Sequence, residues 1–309
     1  MKIGITSFIF YDWDLETTCK YVSDIRYEAI ELDIRPGQKH LQPNEVLTGK
    51  AMEVKSLIKK YNLIISALSC GVNHLDPDLK RRKELNDYFK QVIEAASLLE
   101  VPVVTGISGF PAPEKTEEQN WKEFEQEMGA IIDLASEREV KVALETFPPA
   151  LVYNNSTIEK MLSVIPSKYL GWNLDPSHQV YQFIDYLESI RAFKDRIFHV
   201  HAKDTEILHN RLRFTGIYGE EWWRFRIPGF GDIEWRKFIS CLEDVGYDYV
   251  VSFEHEDPLI TREDAVPKAL LFLRSIVYRK TGPADDEWRR LLYRKEFEGI
   301  QEKYGKVKY

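Results

Sequence analysis

The feature that most constrains this chain is an alternation of two kinds of segment. Short β-branched runs recur at Lys2–Phe8, Ala29–Ile34, Ile64–Cys70, Val101–Ser108, Lys141–Phe147, Leu170–Asp175, Ile197–Lys203 and Tyr249–Glu254. Each is followed by a charged stretch with apolar residues at helical spacing. Leu79–Leu99 is the clearest, with Leu85, Phe89, Val92, Ile93, Ala96 and Leu99 on one stripe. Trp121–Leu134 and Ala265–Val277 read the same way. Eight strand–helix units of roughly 35 residues imply a parallel sheet with helices outside it, and that number suggests closure into a barrel. An open doubly wound sheet is the alternative, but it usually carries a Gly-rich turn after its first strand. Here that strand runs into SFIFYDWDLE, which has no glycine. The expected fold class is α/β, a (β/α)8 TIM barrel over residues 1–279. A C-terminal helical extension over 280–309 follows, beginning at the Gly282-Pro283 break.

Length alone leaves 309 residues open to two small domains or one large barrel. The net charge of −8, from 42 basic and 50 acidic side chains, argues against a nucleic-acid partner. Cys19, Cys70 and Cys241 are odd in number and form no CxxC. A disulfide framework or zinc ribbon is not expected, and a reducing, cytoplasmic setting fits better. The opening MKIGITSFIFYDWD has a short apolar stretch ending in Asp12 and Asp14, so no signal peptide is expected there. No apolar run approaches the ~20 residues of a membrane span.

Two segments stand outside the repeat. Thr205–Asp232 is long and aromatic, suited to a lid or substrate wall. Its Tyr218, Trp222, Trp223, Phe225 and Phe230 either stack on a ring-shaped substrate or form an apolar plug or subunit contact. The tail's Trp288, Leu291, Leu292 and Phe297 pack either on the chain's own barrel or on a second copy, a homo-oligomer contact.

Barrel chemistry sits where strands end. Four consecutive candidate strands end in a metal-ligating residue type: Glu145 in ALETF, Asp175 in WNLDPSH, His201 in FHVHAKD and Glu254 in VSFEHED. Neighbouring strands lie ≈ 4.8 Å apart, so four such side chains can converge on one point. Three carboxylates and an imidazole suit one divalent ion, with Mn²⁺, Mg²⁺, Co²⁺ and Zn²⁺ all open. Without a cation the carboxylates would repel, and some would need raised pKa values.

Other residues receive structural readings. His199, two residues before His201, points to the same side one layer deeper and reads as a hydrogen-bonded core histidine. His255 and Asp257 fall at the rim, where Asp257 either orients a neighbour or makes a loop contact. His40 and His209 read as solvated, and KRRKE at Lys80–Glu84 as a charged helix face. Cys70 has no base arranged beside it and is not read as a nucleophile.

The run of motifs resembles the xylose isomerase-like TIM barrels of the sugar phosphate isomerase/epimerase superfamily, which includes ketose 3-epimerases and inosose dehydratase. The resemblance covers Lys2 to about Tyr278. It rests on ALE at Glu145, LDPSH at Asp175–His178, HVHAKD at His199–Asp204, IPGFGDIEW at Ile227–Trp235 and SFEHED at Ser252–Asp257. It implies that Glu145, Asp175, His201 and Glu254 bind one divalent metal. It also implies substrate contacts from His178, Arg226, Lys203 and, more loosely, His74. In the epimerase branch Glu145 and Glu254 exchange protons with a small carbohydrate through a metal-stabilised enediolate. The same ligands serve a dehydratase or lyase acting by β-elimination on an inosose or 3-keto-glycoside. An endonuclease IV-like branch is a remote third reading, disfavoured by the acidic charge and the few strand-end histidines. A phosphorylated substrate is not supported, because IPGFGDIEW has glycines but serves equally as a turn into the next helix.

Overall fold

In the computed structural model, which describes residues 1–278, the expected strand runs form a closed barrel. The strands are β1 (Lys2–Thr6), β2 (Ala29–Asp33), β3 (Ile64–Ser69), β4 (Val103–Ile107), β5 (Lys141–Glu145), β6 (Leu170–Leu174), β7 (Ile197–Ala202) and, after an inserted hairpin, β10 (Val250–Phe253). All pair in parallel with their neighbours, and β1 closes the ring against β10. Most observed strands are one or two residues shorter than their sequence runs. The first run ends at Thr6 because Ser7–Phe10 winds into a 3₁₀ turn.

A helix follows each barrel strand, and the sequence sets their starts. Asp14 caps Leu15–Ile25 and Asp78 caps Leu79–Leu99, while Thr116 and Gln119 form a capping box on Glu117–Glu137. These side chains accept from amides that the first helical turn leaves unpaired. The apolar stripes face the barrel: Phe89, Val92, Ile93, Ala96 and Leu99 are all buried. Two single-residue readings are corrected here. Arg82 of the KRRKE face turns inward, 4% exposed, to reach Glu123 and the Asp76 carbonyl. His40 is not solvated but 5% exposed, because the Ser7–Phe10 turn and the first helix close over it. Its ring meets Ser7 Oγ at 3.2 Å, Thr18 Oγ1 at 3.3 Å and the Phe10 carbonyl at 3.1 Å.

Strands β2, β6 and β7 are buried along their whole length, as expected for a parallel sheet covered on both faces. The barrel interior is not wholly apolar. Hydrogen bonds run across it between strands that are not neighbours, from Glu31 on β2 to Thr105 on β4 and to His201 on β7. His199 on β7 joins Asn173 on β6 and Ser66 on β3, each at 3.2 Å. Its imidazole is thus a paired member of the interior layer.

The long segment after β7 is an antiparallel hairpin, β8 (Asp204–Ile207) with β9 (Trp223–Arg226). The chain then turns through IPGFGD into helix Trp235–Asp244. Asp204, wholly buried, organises that turn. Its carboxylate accepts from the amides of Thr205, Gly229, Gly231 and Ile233 at 2.8–3.1 Å and from Trp235 Nε1 at 2.7 Å. Gly231 is required by this close approach, since a Cβ there would lie 2.4 Å from Asp204 Oδ1. The amides of Gly229 and Gly231, the candidates for a phosphate cradle, therefore already face the protein's own carboxylate.

The barrel unit occupies Met1–Ile276. The expected boundary at 279/280 and the helical tail over 280–309, with its anchors Trp288, Leu291, Leu292 and Phe297, lie outside the described residues. No described helix is long and apolar enough to cross a membrane.

Candidate metal centre

The strand ends carry their polar residues onto one rim of the barrel. Glu145 is the last residue of β5, Asp175 and Glu254 directly follow β6 and β10, and His201 lies one residue inside the end of β7. One ligand atom from each of the four lies within 4.8 Å of the others. His201 Nδ1 stands 3.1 Å from Glu254 Oε2 and 3.6 Å from Glu145 Oε1. Lys203, on the same face of the chain as His201 and 2% exposed, reaches into the cluster. Its Nζ is 2.7 Å from Glu254 Oε2, 2.8 Å from Glu256 Oε2 and 3.1 Å from Asp175 Oδ2. His178, on the short helix Ser177–Val180, lies 3.2 Å from Glu145 Oε1.

These contacts set the charge states. Burial pushes the Glu145 carboxyl up, but His201, His178 and Lys203 outweigh it and hold it well below the usual carboxylate range. Burial likewise raises Glu254, yet Lys203 and His201 bring it down to about 2. For His201 burial works downward, and Glu31, Glu254 and Glu145 overcome it, leaving the ring well above the ordinary histidine value. The raised carboxyl pKa values expected for a cluster without a cation do not arise at Glu145 and Glu254, because His201 and Lys203 supply the opposing charge and His178 a hydrogen bond to Glu145.

The cluster fits a divalent ion on one further observation. His201 Nδ1 and Asp175 Oδ2 are buried and make no well-aligned hydrogen bond; each has only a charged neighbour at 3.1 Å, Glu254 Oε2 and Lys203 Nζ respectively. Buried polar atoms normally find partners, and these two belong to the four candidate ligands. One nitrogen and three carboxylate donors suit Mn²⁺, Mg²⁺, Co²⁺ or Zn²⁺. Glu31, His199 and His201 form a second close group. There, however, Glu31 Oε2 stands 3.0 Å from His201 Nε2, and Glu31 Oε1 accepts from Thr105 Oγ1 at 2.7 Å. That spacing marks a hydrogen-bonded layer.

Above the cluster lies a cavity of about 620 Å³, lined among others by Phe147, Tyr181, Trp223 and Phe225. Tyr181 stacks on Trp223 with centroids 4.0 Å apart, and Phe225 meets His178 edge-on at 5.3 Å. The aromatic loop therefore divides. Trp223 and Phe225 line the cavity, Trp222 is buried against Phe183, Phe230 is half exposed, and Tyr218 is 98% exposed.

Two residues expected at the substrate are placed elsewhere. Arg226 does not line the cavity; its guanidinium joins Glu206 at 2.5 Å and Asp257 at 2.9 Å, bracing the hairpin to the strand-β10 rim. His74 is fully buried, with Nδ1 2.6 Å from Asn86 Oδ1 and its ring edge-on to Phe89. Burial pushes its imidazole down to about 4. An unfolded chain takes up that proton near pH 6.5, so neutral burial of His74 is fully favourable above that pH. The contribution, on the order of 3 kcal/mol, is lost as pH falls toward 4. His74→Gln is expected to flatten the fall of the urea midpoint between pH 6.5 and 4. An unchanged slope would remove His74 as a source of acid sensitivity. Cys70 is buried and its thiol is pushed far above the usual range, consistent with an inert side chain.

The sequence reading missed Glu31, Asp33, Arg35, Tyr181 and Glu256, all of which line the cavity. A signal existed for the first two. In AIELDI, Glu31 and Asp33 share one strand face in a run otherwise apolar.

Comparison with known proteins agrees with this geometry. A family model described as "Xylose isomerase-like TIM barrel" matches residues 19–276. Protein YfiH of Bacillus subtilis (strain 168) is 27% identical over 272 residues, covering 77% of this chain and 86% of that one. An inosose dehydratase of Clostridium perfringens is 27% identical over 150 residues, which is 46% of this chain and 50% of the relative. The chain thus matches about half the length of that enzyme. Among solved structures, an IolI protein with a bound zinc atom superposes with a TM-score of 0.72 at 22% identity, covering 91% of this chain and 100% of that one. The 3-keto-D-glucoside 4-epimerase YcjR from E. coli superposes at 0.70 and 16% identity, covering 89% and 99%. With the closed eight-stranded barrel and a family match over most of its length, this chain belongs to the xylose isomerase-like TIM barrel family.

Proposed function

We propose that the protein is a divalent-metal-dependent isomerase or epimerase of a small carbohydrate, a sugar, keto-sugar or cyclitol, that moves a proton at an α-carbon by means of Glu145 and Glu254. The observation that carries this reading is the approach of these two glutamates to the Nδ1 edge of His201 from either side of β7. Glu145, Asp175, His201 and Glu254 hold one ion, and the zinc in IolI supports a metal of this kind. When bound, the cation polarises a substrate carbonyl as a Lewis acid. One glutamate takes the α-proton and the other returns one to the opposite face. His178 orients Glu145 through the 3.2 Å contact, and Lys203 orients Glu254. Tyr181, Trp223 and Phe225 present an apolar wall to the carbon face of a sugar ring. The aromatic loop supplies this wall from only two of its five singled-out residues.

The inosose dehydratase relatives favour a second reading, β-elimination at the same site. Lys203, between Glu254 and Glu256, would donate a hydrogen bond to the leaving hydroxyl.

The test is to strip the protein with EDTA, reload it singly with Mn²⁺, Mg²⁺, Co²⁺ or Zn²⁺, and follow a panel of ketoses and inososes in D₂O by NMR. Expected are about one bound ion per chain, deuterium at an α-carbon, and loss of exchange on chelation. New alkene signals would move the assignment to elimination. An absence of both from every substrate would end the reading.

A further inference from the structure

Glu31 is the least expected charge in the molecule. It sits in the middle of β2, fully buried, inside the barrel and beneath the candidate ligands. Burying a carboxylate this deeply is costly unless both oxygens are engaged. Here both are: Oε1 accepts from Thr105 Oγ1 at 2.7 Å, and Oε2 faces His201 Nε2 at 3.0 Å. His199 Nδ1 is a further 3.8 Å neighbour of Oε2. Both carboxylate oxygens are therefore engaged inside the barrel, one by the Thr105 hydroxyl and one by the His201 ring.

Both edges of the His201 ring face a carboxylate, Nε2 toward Glu31 at 3.0 Å and Nδ1 toward Glu254 at 3.1 Å, and a cation taken by Nδ1 leaves the ring proton on Nε2. A bare Nε2 lone pair facing a carboxylate oxygen would be repulsive, so Nε2 carries hydrogen. Asn173 Nδ2 also lies 3.2 Å from Nε2, but the charged oxygen is the stronger partner. Nδ1 remains as the edge facing Glu145 and Glu254, and it is the buried ring nitrogen without a well-aligned hydrogen bond.

We propose that Glu31 is a positioning residue, anchored by Thr105, that holds His201 with Nε2–H inward and Nδ1 presented to the cation. This rests on the metal-site reading given above. Glu31 is not one of the four candidate ligands and acts through His201. Its effect is to fix the orientation and raise the basicity of that imidazole.

The test is isothermal titration calorimetry of Zn²⁺ and Mn²⁺ into the EDTA-stripped full chain, with circular dichroism confirming the fold. Glu31→Gln is expected to weaken ion binding by roughly 10–100-fold while the helical spectrum is kept. Thr105→Val, which loosens the anchor and leaves Glu31 charged, is expected to weaken it by roughly threefold or more. A folded Glu31→Gln protein binding the ions as tightly as the parent overturns the proposal and leaves the metal site standing. If Glu31→Gln does not fold, the Thr105→Val result decides: weaker binding supports the proposal and unchanged binding overturns it. A parent protein that binds neither ion overturns the metal-site reading itself, and the role of Glu31 with it.

Discussion

Glu254→Gln is expected to lower turnover by roughly a thousandfold or more while leaving the fold intact. The substitution keeps the shape of the side chain and removes its charge. Three consequences follow from the contacts. His201 loses the carboxylate charge 3.1 Å from Nδ1, and a bound ion would lose an anionic ligand. On the proposed reading, the substrate α-carbon also loses one of its two proton-exchanging groups. Lys203 loses one of three carboxylate partners but keeps Asp175 at 3.1 Å and Glu256 at 2.8 Å, so its ammonium is not stranded. The last point is why a loss of activity is expected without unfolding. The measurement is α-proton exchange in D₂O, with thermal melting run in parallel. Retention of parental exchange by a folded Glu254→Gln protein would remove Glu254 from the chemistry. Unfolding would instead mean that the Lys203 network carries more of the local stability than its remaining contacts suggest.

Asp204→Ala carries the largest expected stability effect. The carboxylate is the common acceptor for four backbone amides and the Trp235 indole. Removing it leaves five donors around a buried site, each costing about 1–3 kcal/mol if nothing replaces the bond. Water entering the vacated space offsets part of this, so a net loss of about 4 kcal/mol or more is expected. For a chain of this size that corresponds to a fall in Tm of about 10 °C. Asp204→Asn keeps one acceptor oxygen but turns an amide donor toward other donors, and it should fall between the two. Because the turn anchors the hairpin that carries Trp223 and Phe225, the Asn variant should also show a raised KM before kcat changes. Chemical denaturation and steady-state kinetics check both. A melting temperature within about 2 °C of the parent for Asp204→Ala would show that the turn is held by something other than this carboxylate.

Much of the fold was legible because period and order survive in one dimension. Eight β-branched runs alternating with helical stripes leave few arrangements, and the absence of a Gly-rich first turn disfavoured the open sheet. The candidate ligands were legible for a related reason. Residues ending consecutive parallel strands must emerge on one rim, so Glu145, Asp175, His201 and Glu254 come together once the barrel closes. The substrate-side residues were less accessible. Arg226 and His74 follow strands as expected, but whether they face the cavity depends on loop paths that no local period encodes. Arg226 is captured by Glu206 and Asp257, and His74 by Asn86. His40 was misread because a short 3₁₀ turn far from it in sequence closes over it.

By itself the sequence determined the barrel, its strand order and the set of four residues able to meet at its rim. The cause is that β/α alternation and strand-end position are local properties which parallel closure converts directly into geometry. Tertiary structure alone decided which charges compensate one another there. Lys203 enters the carboxylate cluster, Glu31 reaches His201 from across the barrel, and Asp204 fills the glycine turn. These contacts join residues far apart in the chain, and their energies come from burial and from partners a few ångströms away. Neither quantity exists until the barrel has closed.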